Sequence, residues 1–273
     1  MDRSQGAPVA LVVSPHLDDA AFSCAGLLAR LRRGGWRIAV ATVFTRSVAD
    51  PAGFALACQL DKGLAPDVDY MARRRAEDAE FGRYLGIDPL EWLDLPEAPH
   101  RGYGSAPALF AGVRPGDDIA VEVGRRLDES LARVAPDWVF APQGVGNHVD
   151  HLQVIRAVRA RGDWATRVAW YRDLPYAAKF PAAPAAADLP GGLVEVAAPL
   201  ALADLAAKVA ASACYATQVP FQFGPGGDVA IARVLGDFAR DEGARLGLPG
   251  AVEAFRIDPA ARTDWEGRVL APG

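Results

Sequence analysis

An α/β fold, with a mostly parallel sheet between two layers of helices, is predicted by three observations. Apolar runs of strand length alternate along the chain with segments whose apolar residues recur at helical spacing. The opening residues spell a complete unit of strand, helix and strand. Two motifs of histidine and aspartate each stand between such a strand and such a helix, at the sheet edge where open parallel sheets bind ligands.

Residues 8–14, PVALVVS, are a near-continuous apolar run, as expected of a strand buried on both faces. Behind them Ala21, Cys24, Leu28 and Leu31 keep helical spacing until Gly34 and Gly35 stop the helix. WRIAVATVF (36–44) is a second apolar strand, so the pair should be parallel with a right-handed crossover. Pro51, Gly53, Gly63 and Pro66 make residues 45–69 a long loop, although FALACQL could hold a helical turn or two. Tyr70 to Leu85 reads as a helix ended by Gly86, LEWLDL (90–95) as a short strand and 96–116 as a second Pro/Gly-rich loop. Asp117 is expected to cap a helix running to Val134. DWVFAPQ (137–143) is the next strand, and a glycine-punctuated turn leads into a helix from Val149 to Ala160. RVAWYRD (167–173) and LVEVAA (193–198) are further strands, with helices near 201–217 and 227–246. The Ala/Pro-rich KFPAAPAAADLPGG (179–192) reads as a surface connection whose content is spacing.

At 273 residues the chain can bury a large core, and one domain over residues 1–273 is the simplest division. Mean hydropathy is +0.07, and the longest apolar stretches are short or broken by acids, so no membrane span is expected. The opening MDRSQGAP lacks the basic-then-apolar pattern of a secretion signal, which predicts a soluble cytoplasmic protein. Cys24, Cys58 and Cys214 are odd in number and far apart, which argues against a disulfide framework or a CxxC zinc cluster; they should be reduced and mostly buried. A net charge of -5 without a Lys/Arg run excludes the electrostatic footprint of a nucleic-acid binder. Arg73, Arg74 and Arg75 stand beside Glu77, Asp78 and Glu80, the pattern of a solvated mixed-charge helix face.

Pro15-His16-Leu17-Asp18-Asp19 falls at the carboxyl end of the first strand. A tight turn there makes His16, Asp18 and Asp19 project into a common crevice or cap the helix, and three polar groups are more than a cap uses. In the competing reading one aspartate is the cap and His16 a satisfied core histidine. His148-Val149-Asp150-His151 tips the balance, because it also follows an apolar strand and opens a helix, so three of the four histidines occupy two equivalent positions. Histidines with a carboxylate around a divalent ion, one position left open, form the arrangement of catalytic zinc sites. A hydrolytic site also needs a carboxylate outside the coordination shell to take a proton. Spacing leaves open which of Asp18 and Asp19 binds and which acts as base, and which of His148 and His151 is the ligand.

SPHLDDAAFSCAG together with NHVDH resembles the paired signature of the PIG-L (LmbE-like) family of metal-dependent de-N-acetylases, P-H-x-D-D and H-x-D-H. Arg74-x-x-Glu77 ahead of Leu85-Gly86, WYRDLPYA (170–177) and YATQ (215–218) resemble further family segments. The resemblance implies a Rossmann-like three-layer sandwich, with His16, Asp19 and His151 as ligands of Zn2+ or another divalent ion such as Fe2+. It implies Asp18 as general base, His148 as the cationic or hydrogen-bonding partner of the oxyanion and leaving amine, and Asp150 as the carboxylate that orients His148. The implied activity removes an N-acyl group, typically N-acetyl, from the amino-sugar moiety of a small-molecule glycoconjugate. Rival readings are a non-hydrolytic Rossmann-like ligand-binding module and a metal hydrolase acting on another amide or ester. Many members carry Glu after the paired aspartates and an aromatic before the second motif; this chain has Ala20 and GVGN (144–147), so no tyrosine assisting the oxyanion is expected there.

Arg74 and Tyr176 are candidate substrate contacts, Arg74 against the plainer reading of a helix-surface arginine. His100, in the loop PEAPHRGYGSAP, is read as solvated and stays outside the metal set. Trp92, Trp138, Trp164, Trp170, Phe140 and Phe180 sit in or beside strands and should pack the core. QGVGN lacks both G-x-G-x-x-G and the P-loop lysine, so no phosphate loop is expected. The loops 45–69 and 96–116 follow strands at the same sheet edge as the motifs and should frame the pocket.

Overall fold

The computed structural model describes residues 6–162 and 167–271, which leaves Trp164 outside the described residues. Seven strands form one sheet: β1 (Val9–Ser14), β2 (Arg37–Phe44), β3 (Leu90–Leu95), β4 (Trp138–Pro142), β5 (Val168–Tyr171), β6 (Val194–Pro199) and β7 (Val252–Ile257). Their order is β3-β2-β1-β4-β5-β7-β6; β1 to β5 pair in parallel, and β7 runs antiparallel to both β5 and β6. Among the described residues the α-helices of four or more residues are α1 (Asp19–Arg33), α2 (Gly53–Leu60), α3 (Tyr70–Leu85), α4 (Ala106–Phe110), α5 (Ile119–Val134), α6 (Val149–Arg159), α7 (Tyr176–Lys179), α8 (Leu202–Ala213), α9 (Val219–Phe223) and α10 (Gly227–Arg245).

The continuous apolar run of β1 has a physical cause in its two buried faces. Val9, Leu11 and Val13 enter the core shared with α5 and α6, while Ala10 and Val12 enter the core shared with α1, α3, α8 and α10. A fully buried Leu or Phe in either layer stabilises the fold by roughly 1.5–3 kcal/mol, and these positions exclude charge. Asp69 caps α3 by accepting from the Ala72 N–H at 2.9 Å, and Gly86 closes it with φ 65°, a conformation other residues adopt at a cost.

The chain leaves β1 toward β2 and β3 on one side and returns to β4 and β5 on the other. The junction of β1 and β4 is therefore a topological switch point, where the turns diverge and leave a crevice beyond the carboxyl ends. Both histidine motifs follow these two strands.

Several expectations need correction. Asp118, not Asp117, stands at the N-cap of α5; the Asp117 carboxylate instead accepts from Arg101 and from the Tyr103 hydroxyl at 2.8 Å. β7 and its antiparallel pairing were not read from the sequence. The mixed-charge face of α3 is solvated at Arg73 and Glu80 and partly at Arg75, but Arg74, Glu77 and Asp78 are buried. Trp138, Trp170 and Phe140 are buried as expected, but Trp92 is 40% and Phe180 59% exposed. The half-exposed Trp92 directs its indole N–H inward, donating to the buried Asp78 at 2.7 Å. The Ala/Pro-rich connection is more than a spacer, since Ala186 and Leu189 close the core beside β4. The helical turns allowed in FALACQL form α2, as the sequence suggested, whereas 96–116, read as loop alone, contain a 3-10 turn and α4. Cys24 is buried, while Cys58 and Cys214 are half-buried, and all three are free thiols.

Candidate metal centre

Parallel pairing of β1 with β4 sets the turn after Ser14 beside the turn after Pro142. Ser14 fixes the first turn: its hydroxyl donates to the His16 carbonyl at 2.7 Å and accepts from the Ala20 N–H at 3.0 Å. The second turn bends through Gly144 and Gly146; a Cβ on Gly146 (φ 86°) would lie 3.3 Å from the Tyr176 side chain, so glycine there lets Tyr176 close over the site. His16, His148 and His151 consequently offer ring nitrogens within 4.8 Å of one another. Asp19 joins them, its Oδ2 3.2 Å from His16 Nδ1 and 3.3 Å from His151 Nε2.

The far side of each of two imidazoles is anchored. His16 Nε2 donates to Asp150 Oδ2 at 3.0 Å, and His151 Nδ1 donates to Asp173 Oδ1 at 2.6 Å, because a buried carboxylate can only accept. That fixes both tautomers and turns the remaining nitrogens, His16 Nδ1 and His151 Nε2, toward Asp19. His151 Nε2 is buried without a hydrogen-bond partner, a cost that a ligated cation would remove. Carboxylate-anchored imidazoles of this kind are the usual support of metal-ligating histidine. Two nitrogens and one carboxylate oxygen thus fit a divalent ion, and His148 stands within reach as a third imidazole.

Electrostatics agree with the geometry. Burial opposes charge on His16, yet hydrogen bonds and charges from Asp150 and Asp19 raise its pKa well above the ordinary value. Burial likewise opposes charge on His151, but Asp19 and Asp173 carry it up to about 9. Asp19 and Asp150, despite burial, are held far below the usual carboxylate range by the imidazoles, and Asp150 also by Arg101. The centre favours positive charge, so a metal entering it would displace protons. His148 differs: burial, then the charge of His16, pushes it down to about 3, so its ring is neutral rather than cationic.

The remaining residues fall into place around this core. Burial raises Asp18 to about 6 against the opposing Arg74 charge; its Oδ1 lies 3.5 Å from Arg74 Nη2, and Arg74 is held by Glu97 at 2.5 Å. Arg74 is therefore part of the site and not a surface residue. Asp150 was expected to orient His148, but its carboxylate serves His16, Arg101 and the Ala98 N–H. Only its backbone N–H reaches His148, donating to Nδ1 at 3.3 Å. The Tyr176 ring stacks 6.1 Å from that of His148. Asp173, Glu97 and Arg101 were not among the sequence candidates; Asp173 lay unnoticed within WYRDLPYA. YATQ meets α3: Glu77 accepts from the Thr217 N–H and hydroxyl, and Asp78 from the Tyr215 hydroxyl at 2.6 Å. α3, which carries Arg74, is thereby tied to the segment after α8. His16, Asp18, Asp19, Arg74, His148, Asp150 and Tyr176 all line one cavity, to which α2 and α4 contribute walls.

A doubly wound sheet with a carboxylate-buttressed histidine cluster at its switch point defines an α/β protein whose three converging imidazoles could hold a metal ion. Residues 11–161, more than half of the chain, match the PIG-L family, described as GlcNAc-PI de-N-acetylase, and the chain belongs to that family. It is 40% identical over 173 residues to 2'-N-acetylparomamine deacetylase of Streptomyces fradiae, an alignment covering 61% of this chain and 57% of that protein. The crystal structure of the A40926 pseudoaglycone deacetylase superposes with a TM-score of 0.76 at 26% identity, covering 91% of this chain and 96% of the other. A deacetylase from the teicoplanin biosynthesis pathway superposes with a TM-score of 0.77 at 25% identity, covering 91% and 97%. No helix among the described residues is long and apolar enough to cross a membrane.

Proposed function

We propose that the protein is a metal-dependent de-N-acylase that removes an N-acetyl group from the amino-sugar part of a small-molecule glycoconjugate. The observation that carries this reading is the convergence of Asp19 Oδ2 with one free nitrogen from each of two carboxylate-anchored imidazoles. The family description and the deacetylase names of the relatives support an amide as the bond and an amino sugar as the class.

In this reading His16, Asp19 and His151 would hold the ion, Zn2+ or another divalent metal such as Fe2+. The chemistry such an ion would supply is Lewis acidity toward the amide carbonyl and the attacking water. Asp18, on the cavity wall and clamped by Arg74, takes the proton from the attacking water. His148 accepts the Asp150 N–H at Nδ1, so the neutral ring keeps its proton on Nε2 and from there donates a hydrogen bond to the developing oxyanion. When the C–N bond breaks, Asp18 passes its proton to the leaving amine, freeing a carboxylic acid and the amino sugar. Asp150 acts by holding His16. Arg74 aligns Asp18 and offers donors to the substrate, and Tyr176 covers His148. The three free thiols suit a reducing cytoplasm.

Acetate release from an N-acetylglucosaminyl glycoside, before and after removal of metal by a chelator, tests the proposal. Loss of release on chelation and recovery with about one equivalent of Zn2+ or Fe2+ is expected. Release indifferent to chelation contradicts the metal mechanism. Purified protein without bound metal and without acetate release would instead be a ligand-binding module, and product analysis separates amide hydrolysis from attack on other bonds.

A further inference from the structure

We infer that the amino sugar arrives carrying an apolar aglycone, alkyl or aryl, seated on a phenylalanine rim at the cavity mouth; the inference rests on the de-N-acylase reading. The cavity, of about 410 Å³, has a depth axis: Asp19 and Asp150 lie buried at its floor, whereas Phe110, Phe221 and Phe180 at the mouth are 40%, 52% and 59% exposed. A single exposed phenylalanine is ordinary, but these come from α4, from α9 and from the residue after α7, and converge on one opening. The apolar surface is continuous with the reacting centre, since the Phe110 ring lies 5.3 Å from His148 and 5.7 Å from Tyr176. With the amide at the floor, the group joined to the far side of the sugar remains at the rim.

Charge at the mouth excludes the opposite kind of substrate. Among the described residues that line it there, Lys62 and Lys179 face a single acid, Asp61. Lys62 Nζ sits 4.3 Å from the Phe221 ring centre and donates to the Cys58 carbonyl, while Lys179 donates to Gln222. The acids deeper in are engaged: Asp18 and Glu97 by Arg74, Asp150 by Arg101. A polycationic aglycone needs free carboxylates at the rim and would meet two ammonium groups instead.

Octyl and methyl β-glucosaminide, titrated into metal-loaded protein by calorimetry, share the product sugar and differ only in the apolar group. The octyl compound is expected to bind about tenfold or more tightly, with a matching advantage in kcat/KM for its N-acetyl form, as partial burial of the chain on phenyl surface implies. The double variant Phe180→Ser/Phe221→Ser, both residues being half-exposed and so removable without harm to the core, should shrink that advantage to about threefold or less. Equal affinities overturn the inference. So does a higher kcat/KM on N-octanoylglucosamine or on an N-acetylated aminoglycoside than on the octyl glycoside. If the octyl preference appears but no compound releases an acid, the apolar subsite stands and the hydrolase reading falls.

Discussion

Asp173 provides the sharpest perturbation, because its two carboxylate oxygens have separable jobs. Oδ1 accepts from His151 Nδ1 at 2.6 Å, and Oδ2 accepts from the Val145 N–H at 3.0 Å in the turn that carries His148. In Asp173→Asn the single amide oxygen can serve only one of these donors. If it stays on Val145, the amide NH2 faces His151 Nδ1, which must become an acceptor; the proton then moves to Nε2 and blocks the nitrogen that faces Asp19. If it serves His151, the NH2 opposes the Val145 N–H and the second turn loosens. Either way the support of the ligand is lost, and outer carboxylates of this type are worth about 10–100-fold in metal affinity. That corresponds to roughly 1.4–2.8 kcal/mol. Metal dissociation constants from competition with a chromogenic chelator measure it, with circular dichroism to verify folding. A folded Asp173→Asn protein that binds metal as tightly as the parent would refute the reasoning.

Asp18→Asn should retain stoichiometric metal yet lose about 10²–10⁴-fold in kcat, the usual worth of a general base; metal content and acetate release are measured on the same preparation, and near-parental turnover would remove Asp18 from that role. Arg101→Met strips the buried Asp150 and Asp117 of their shared guanidinium, at 2.7 Å and 3.0 Å, at a cost of about 3 kcal/mol. Thermal melts should show Tm lower by roughly 6–12 °C, and a shift under about one degree would contradict the estimate. A third change concerns acid stability. Hydrogen bonds from Arg245 hold Glu195 below its ordinary pKa, so the pair contributes stability above the unfolded value and loses it as pH falls through the folded one. Arg245→Gln should lower stability at pH 7 by roughly 0.5 kcal/mol, the discount reflecting solvent exposure, and flatten the decline on acidification below about pH 4.5. Urea titrations across pH check this, and an unchanged slope would count against the assignment.

The parallel half of the fold was legible because its signals are local. β1, α1, β2, α3 and β3 each carry a complete period and a glycine or turn boundary within their own residues. β7 was not, since an antiparallel strand inserted between β5 and β6 owes its place to neighbours distant in the chain. The six motif residues His16, Asp18, Asp19, His148, Asp150 and His151 were legible as a set because they share a topological position. Their pairings were not. Asp150 precedes His151 and lies two residues from His148, yet its carboxylate crosses to His16, 134 residues away. The Arg74, Glu77 and Asp78 stripe is helical in spacing whether it faces water or protein; only the arrival of Tyr215 and Thr217 turns it inward. Phe180 resembled a core residue because hydrophobicity alone cannot distinguish a core from a binding rim.

Anomalous diffraction from metal-loaded crystals, collected above and below the absorption edge of the ion, tests the central claim most directly. One peak is expected, within coordination distance of His16 Nδ1, Asp19 Oδ2 and His151 Nε2, with Asp18 outside the shell. A peak that omits Asp19, or no peak between the two turns at full metal loading, would contradict the account.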